Sequence, residues 1–205
     1  MQDLVRREKN ALRQRFKAYR AGLNEADYAA LSAAVVTRIK TLPELLQAQT
    51  VHTYWPLLPG REIDVRPLIA WLQASGKQIV LPVVDSFTDA PRLRHVRFEA
   101  TAALRPNRWG IHEPIDGTRV PVDSIDAVVV PALGAGRNGH RLGYGKGYYD
   151  AFLQQLDAPT LCPVFAQCLV DRAPTEPHDV PLDILITEDE IIRPMPGVTS
   201  SSAPS

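Results

Sequence analysis

The chain has 205 residues, 45% of them hydrophobic and 22% charged, with 23 basic against 23 acidic side chains. Those proportions let a core form without cross-links and exclude disordered, fibrous and disulfide-stapled classes. A net charge of zero argues against a whole-surface attraction to nucleic acid or anionic lipid, so any anion must be bound locally.

The first residues carry charges from Asp3 to Arg20 with no apolar leader core, and no apolar run approaches membrane-spanning length; the cytoplasm is the expected compartment. Leu12, Phe16, Tyr19 and Leu23 recur at helical intervals and predict a helix over residues 4–23. On that helix Arg6, Lys9, Arg13, Lys17 and Arg20 fall on one continuous cationic stripe, either a solvated face or one wall of a cleft. Asn24 with Asp27 resembles a capping box for a second helix running to about residue 40, where Pro43 ends the pattern.

Residues 51–55 and 79–84 read as strands around a helix over residues 64–75 that Gly76 closes, a β-α-β unit. Further strands are expected near residues 93–98, 125–130, 161–166 and 184–187, with a helix over residues 147–156. The apolar run from Ala127 to Val130 suits a central strand buried on both faces, after which Gly134 starts a loop. This alternation predicts an α/β fold: a single-domain α/β/α sandwich with an open, largely parallel but mixed sheet, preceded by two N-terminal helices. Residues 1–194 form the expected domain, and residues 195–205, rich in Ser and Pro, a disordered tail. The two cysteines, Cys162 and Cys168, have neither a second Cys pair nor a suitable His pair and are read as reduced core thiols.

The most informative segment is Arg141-Leu-Gly-Tyr-Gly-Lys-Gly-Tyr-Tyr-Asp150, between a strand and a helix. Gly143, Gly145 and Gly147 clear side chains from one turn, so that backbone N–H groups and the next helix start can face phosphate oxygens, with Arg141 and Lys146 adding charge. From Gly134 to Tyr149 there are three basic residues and no acid. The segment is neither a Walker A sequence nor a dinucleotide fingerprint, and a tight turn is the competing reading. Asp150 can hold Mg²⁺ against phosphates or serve as a first-turn acid, and Asp183 is a candidate second carboxylate or a strand-end turn residue. Trp55 and Glu62 flank a strand end where ligand crevices form: Glu62 can accept from a heterocycle, Trp55 can supply an apolar wall, and Trp109 can stack. A surface glutamate and a buried tryptophan are the plainer alternatives. None of the five histidines suggests a triad or a metal cluster.

Taken together, Lys9-Asn-Ala-Leu-Arg13, Glu62-Ile-Asp64, Lys77 to Pro82, Gly110-Ile-His-Glu-Pro114 and above all Arg141 to Asp150 make the chain resemble the 5-formyltetrahydrofolate cyclo-ligase family. The resemblance implies an ATP- and Mg²⁺-dependent enzyme that closes 5-formyltetrahydrofolate to 5,10-methenyltetrahydrofolate with release of ADP and phosphate. It implies an ATP site of Lys9, Arg13, Arg141, Gly143, Gly145, Lys146, Gly147 and Tyr149, with Arg141 and Lys146 as catalytic groups. It places Mg²⁺ on Asp150 and Asp183 and the folate against Trp55, Glu62, Trp109, Tyr144 and Tyr148. The expected protein is a monomer acting on small molecules, with no nucleic-acid or membrane partner. Two departures stand out: Ala135-Gly136 replaces the family's aromatic and Asp, and the segment between Trp55 and Glu62 is longer. The first keeps a non-catalytic nucleotide- or folate-binding module as the alternative.

Overall fold

The computed structural model describes residues 2–86 and 91–194, so the tail assigned to residues 195–205 lies outside the described residues. In chain order the first elements are α1 (Gln2–Gly22), α2 (Glu25–Ile39), α3 (Pro43–Gln47), β1 (Thr50–His52), α4 (Arg66–Ala74), β2 (Gln78–Ser86), β3 (Arg92–Phe98), β4 (Leu104–Pro106) and β5 (His112–Pro114). There follow β6 (Ala127–Val129), β7 (Gly134–Gly136), β8 (Arg141–Leu142), α5 (Tyr148–Leu153), β9 (Thr160–Pro163), β10 (Leu169–Val170), β11 (Ile184–Ile186) and β12 (Ile191–Ile192).

The main sheet has seven strands in the order β12-β11-β9-β6-β1-β2-β3. Strands β11, β9, β6, β1 and β2 run parallel, and each edge carries one antiparallel strand. Strand β6 is the central one, and Ala127, Val128, Val129 and Val130 are each 0% exposed, as four consecutive apolar residues require. Their side chains alternate: Ala127 and Val129 join the core under α1, α2 and α4, whereas Val128 and Val130 join the core under α5. The layers are therefore α/β/α, with one six-residue helix as the only α-helix among the described residues of the second outer layer.

Local chemistry explains the boundaries. Asn24 caps α2 by accepting from the Asp27 N–H at 2.8 Å, and its amide returns a bond to the Asp27 carboxylate. Gly76 ends α4 at φ +76°, a conformation that costs glycine little. Pro43 does not merely stop α2: it opens α3, since a residue without an N–H and with φ already fixed suits a first helical turn. Three helices thus precede the sheet where two were expected.

The stretch after β6 also differs from expectation. Gly134–Gly136 is a strand, in a small sheet of order β10-β7-β8. A Cβ at Gly134 would stand 2.3 Å from the Cys168 carbonyl oxygen and 2.4 Å from the Phe16 ring, so glycine permits α1 and the 168–170 segment to close on this strand. Ala135 is fully buried, and beside Gly136 the Asn138 side chain both accepts from and donates to the Ala173 backbone. Packing and hydrogen bonding at Ala135-Gly136 are thereby completed from within this chain. Both cysteines are free and buried, as expected, and burial pushes their thiols up to about 12 and 11. Among the described residues no helix is long and apolar enough to cross a membrane.

Candidate functional site

Strand β8 delivers the chain to the glycine loop beside the middle of α1, at Arg13 and Lys17. Gly145 and Gly147 have φ +77° and +74°, where an L side chain is strained, so backbone shape alone explains them. Gly143 differs: its φ is ordinary and a Cβ there would meet nothing within 4 Å, so neither strain nor packing requires glycine. The open space beside it is what a ligand approaching the backbone needs. Helix α5 is shorter than the expected 147–156, so its dipole is small and the loop depends on its own amides and on side-chain cations.

Helix α1 supplies those cations, and the members of its stripe meet three segments, the 176–179 turn, the glycine loop and Ala132 after β6. Arg6 reaches Glu176 at 3.4 Å, and Lys9 bonds Glu176 and Asp179 at 2.8 and 2.5 Å. Arg13 Nε donates to the Gly143 carbonyl at 2.9 Å, Lys17 lies 5.5 Å from the Tyr144 ring, and Arg20 donates to the Ala132 carbonyl. Lys9 and Arg20 are buried against these partners, while Arg6 and Lys17 keep an exposed side, so the stripe is not simply a solvated face. Arg141, its side chain 6% exposed, pairs with Asp150 at 3.0 Å, while Lys146 is exposed.

The carboxylates are arranged differently from the sequence reading. Asp183 does not reach toward Asp150: it accepts from the Thr160 N–H and hydroxyl at 2.9 and 2.7 Å, a clasp joining the starts of β9 and β11. Beside Lys9, in contrast, Glu176, His178 and Asp179 bring ligand atoms within 4.8 Å of one another. The sequence reading found no histidine in such a group. Lys9 holds Glu176 below the usual carboxylate range; at Asp179 burial opposes the charge, but the Lys9 hydrogen bond and the Glu176 N–H outweigh it. The spacing Glu176-Pro-His-Asp179 was the available signal, but its partner Lys9 lies 167 residues away from Glu176.

On the other side of the glycine loop, the 57–62 segment and the tip of the β4–β5 hairpin converge. Leu57 lies next to the positions where both Gly60 and Gly110 would carry a Cβ, and the Tyr144 hydroxyl is 3.4 Å from that of Gly60. Trp109 meets Tyr148 edge-on at 5.7 Å with Arg108 over its ring, so two of the expected folate aromatics are neighbours. Trp55 is half-buried and packs edge-on against Phe98 at 5.6 Å. Glu62 is buried, not a surface residue, and accepts from the Leu57 N–H at 2.8 Å. Desolvation raises its pKa, and that hydrogen bond with the charge of Arg20 opposes the rise.

The buried Tyr149 hydroxyl has no hydrogen-bond partner among the described residues, and neither ring nitrogen of His52 does. Tyr149 meets His52 edge-on at 6.2 Å, and His52 packs against His95 at 5.1 Å. Burial keeps both imidazoles neutral, His95 with a pKa down to about 4, so they offer polar but uncharged edges. A separate cleft of about 360 Å³ lies between β2 and the β4–β5 hairpin, and none of the expected site residues lines it.

The chain matches the 5-formyltetrahydrofolate cyclo-ligase family model over residues 5–188. It is 34% identical over 160 residues to the 5-formyltetrahydrofolate cyclo-ligase of Escherichia coli strain K12, covering 76% of this chain and 86% of that protein. With the enzyme of the same name from Haemophilus influenzae it shares 30% identity over 185 residues, 87% of this chain and 97% of the other. The solution structure of Aquifex aeolicus 5,10-methenyltetrahydrofolate synthetase has the same fold, with a TM-score of 0.80 at 30% identity over 93% of this chain and 95% of that one. A glycine loop beside a cationic helix, a mostly parallel sheet that positions both, and relatives aligned along most of its length give one result: the chain belongs to the 5-formyltetrahydrofolate cyclo-ligase family.

Proposed function

We propose that the chain converts 5-formyltetrahydrofolate and ATP to 5,10-methenyltetrahydrofolate, ADP and phosphate. The formyl oxygen attacks the γ-phosphorus and ADP leaves; N10 then attacks the activated formyl carbon. The original formyl oxygen departs with phosphate as the N10 proton is released, which closes the ring. No protein nucleophile is needed, so the chain's work is alignment of two substrates and compensation of phosphate charge.

The observation that carries this reading is the placement of the α1 cations along the glycine loop, with Arg13 bonded to the Gly143 carbonyl and the space beside Gly143 open. We assign the triphosphate to Arg13, Gly143, Gly145, Lys146, Gly147 and Arg141, with Lys146 free to move and Arg141 held by Asp150. Lys9 joins them by exchanging a carboxylate for a phosphate. Tyr149 presents a buried hydroxyl, and its ring packs against His52 and Phe152. Glu62 accepts from pterin N–H groups, Tyr144 brings its hydroxyl to the Gly60 turn, and Trp109 with Tyr148 forms the aromatic wall. Trp55 acts through its packing on Phe98.

Mg²⁺ fits the chemistry of the available donors, because Asp150 and the Glu176–Asp179 pair offer hard carboxylate oxygens beside the loop's cations. We propose Asp150 and Asp179 as its ligands, in preference to Asp183, whose carboxylate is engaged by Thr160. Held there, the ion would neutralise charge on the phosphates, and Arg141 and Lys9, paired here with Asp150 and with Glu176 and Asp179, would supply cations to the nucleotide.

The test is the appearance of methenyltetrahydrofolate absorbance from 5-formyltetrahydrofolate, measured with and without ATP and Mg²⁺. Folded protein that binds ATP without turnover would instead be a binding module. Nucleic-acid binding through the α1 stripe is disfavoured because Lys9 and Arg20 are buried against the chain's own residues.

A further inference from the structure

The tip of the β4–β5 hairpin carries Trp109, and a chain of hydrogen bonds runs from it to the main sheet. Strand β1 pairs with β2 only as far as Val80, whose carbonyl takes the Thr53 N–H. Two and four residues further on, Pro82 and Val84 face the same edge of β2. Pro82 has no N–H to satisfy, and the Val84 N–H donates to Glu113 Oε1 at 3.0 Å. The same oxygen accepts from Asn107 Nδ2 at 2.8 Å. Asn107 in turn holds the tip: its Oδ1 accepts from the N–H groups of Trp109 and Ile111 at 2.9 and 3.2 Å. Its backbone donates to the Ile111 carbonyl at 2.8 Å and accepts from the Gly110 N–H at 2.9 Å.

The Glu113 side chain thus joins two elements that their strand pairing leaves separate, since the hairpin is its own two-stranded sheet and β2 belongs to the seven-stranded one. A lone hairpin is at best marginally stable in water, so its placement depends on such ties. Of the arginines lining the same cleft, Arg94 pairs instead with Asp85 at 2.7 Å. Glu113 acts through the two N–H groups that it accepts. At the other end of the chain of bonds, the Trp109 ring meets Tyr148 edge-on at 5.7 Å, and Tyr148 opens α5 directly after Gly147. A hairpin free to pivot would carry that ring away from the glycine loop; one pinned at Glu113 keeps it there.

We infer that Glu113 is a positioning residue for the aromatic wall: by joining Val84 to Asn107 it fixes the hairpin tip to the sheet and so sets where Trp109 meets Tyr148. The inference rests on the reading of Trp109 and Tyr148 as the folate wall. Glu113 acts through Asn107 and not on the substrate itself.

The test combines Glu113→Ala, Glu113→Gln, Asn107→Asp and Trp109→Ala with two measurements. In the free protein, the ¹H–¹⁵N NOE of the Trp109 indole N–H, assigned with Trp109→Ala, reports how firmly the ring is held. In turnover, KM for 5-formyltetrahydrofolate and KM for ATP are followed separately. Glu113→Ala should lower the indole NOE and raise the folate KM about tenfold, with KM for ATP within about twofold. Glu113→Gln keeps an oxygen acceptor for both N–H groups and should restore both readouts. Asn107→Asp keeps the acceptor for the turn but has no N–H for Glu113, so it must give the same selective rise, which decides the matter even if Glu113→Ala does not fold. A purely structural role would lower Tm and the active fraction without separating the two KM values. An unchanged indole NOE and folate KM in folded Glu113→Ala or Asn107→Asp protein overturns the inference, as does Glu113→Gln behaving like Glu113→Ala. A lowered NOE in Glu113→Ala together with an unchanged folate KM in Trp109→Ala overturns the folate assignment of Trp109 but upholds its anchoring by Glu113.

Discussion

Substituting Gly143 by Ala separates what the glycine loop does for the fold from what it does for a ligand. Gly143 has no positive φ, and an added methyl group meets nothing within 4 Å. The folded state therefore accepts alanine, while the unfolded chain loses freedom; the expected gain is about 0.4 to 1 kcal/mol. In a chain of this size that is a rise of about 1 to 3 °C in Tm. If phosphate oxygens approach this backbone, the same methyl occupies the space they need. Losing one hydrogen bond to a charged group costs about 1.5 to 3 kcal/mol, so KM for ATP should rise about ten- to a hundredfold. Scanning calorimetry and ATP-dependent turnover on the same preparation measure the two effects. A variant that is more stable yet keeps its ATP KM removes Gly143 from the nucleotide site; one that unfolds early shows that the glycine serves the fold.

Lys9→Met leaves the half-buried Glu176 and Asp179 beside each other without their buried cation, and urea titration at pH 7 should show a loss of about 1 to 3 kcal/mol. Both carboxyls have folded pKa values below their ordinary values of 4.5 and 3.8, so their contribution is present above those values and lost as pH falls through the lower folded ones. The wild type should therefore lose stability in that acid range, and Lys9→Met should lose much less there; parallel acid curves would contradict the pairing. Gly134→Ala places a methyl 2.3 Å from a carbonyl oxygen and 2.4 Å from Phe16, and equilibrium unfolding should show a cost of about 1 to 3 kcal/mol or more. Asp150→Asn should lower the Mg²⁺-dependent rate at least tenfold while KM for 5-formyltetrahydrofolate stays within about twofold; equal effects on both would move the metal elsewhere.

The fold class was legible because its signals are local. Period-3.6 apolar positions marked α1, the Asn24–Asp27 pair marked the start of α2, and four consecutive buried aliphatics marked β6 as central. Strand β7 was not legible, since Gly-Ala-Gly has no apolar pattern, and its extended shape is imposed by Phe16 and the 168–170 segment closing on it. The glycine loop stood out in the sequence, but Gly143 could be told from Gly145 and Gly147 only with backbone angles and neighbouring atoms in place.

The sequence by itself determined that a glycine-rich, acid-free loop and a helix with one cationic stripe exist, because side-chain spacing along a helix or turn is fixed by backbone geometry. Tertiary structure alone decided what each charge faces: Lys9 against Glu176 and Asp179, Asp183 against Thr160, and Arg20 sealed in the core against the Ala132 carbonyl. Those partners lie between 23 and 170 residues apart in the chain. A charge's sign is written locally, but the desolvation and pairing that give it a role come from atoms that only folding brings near.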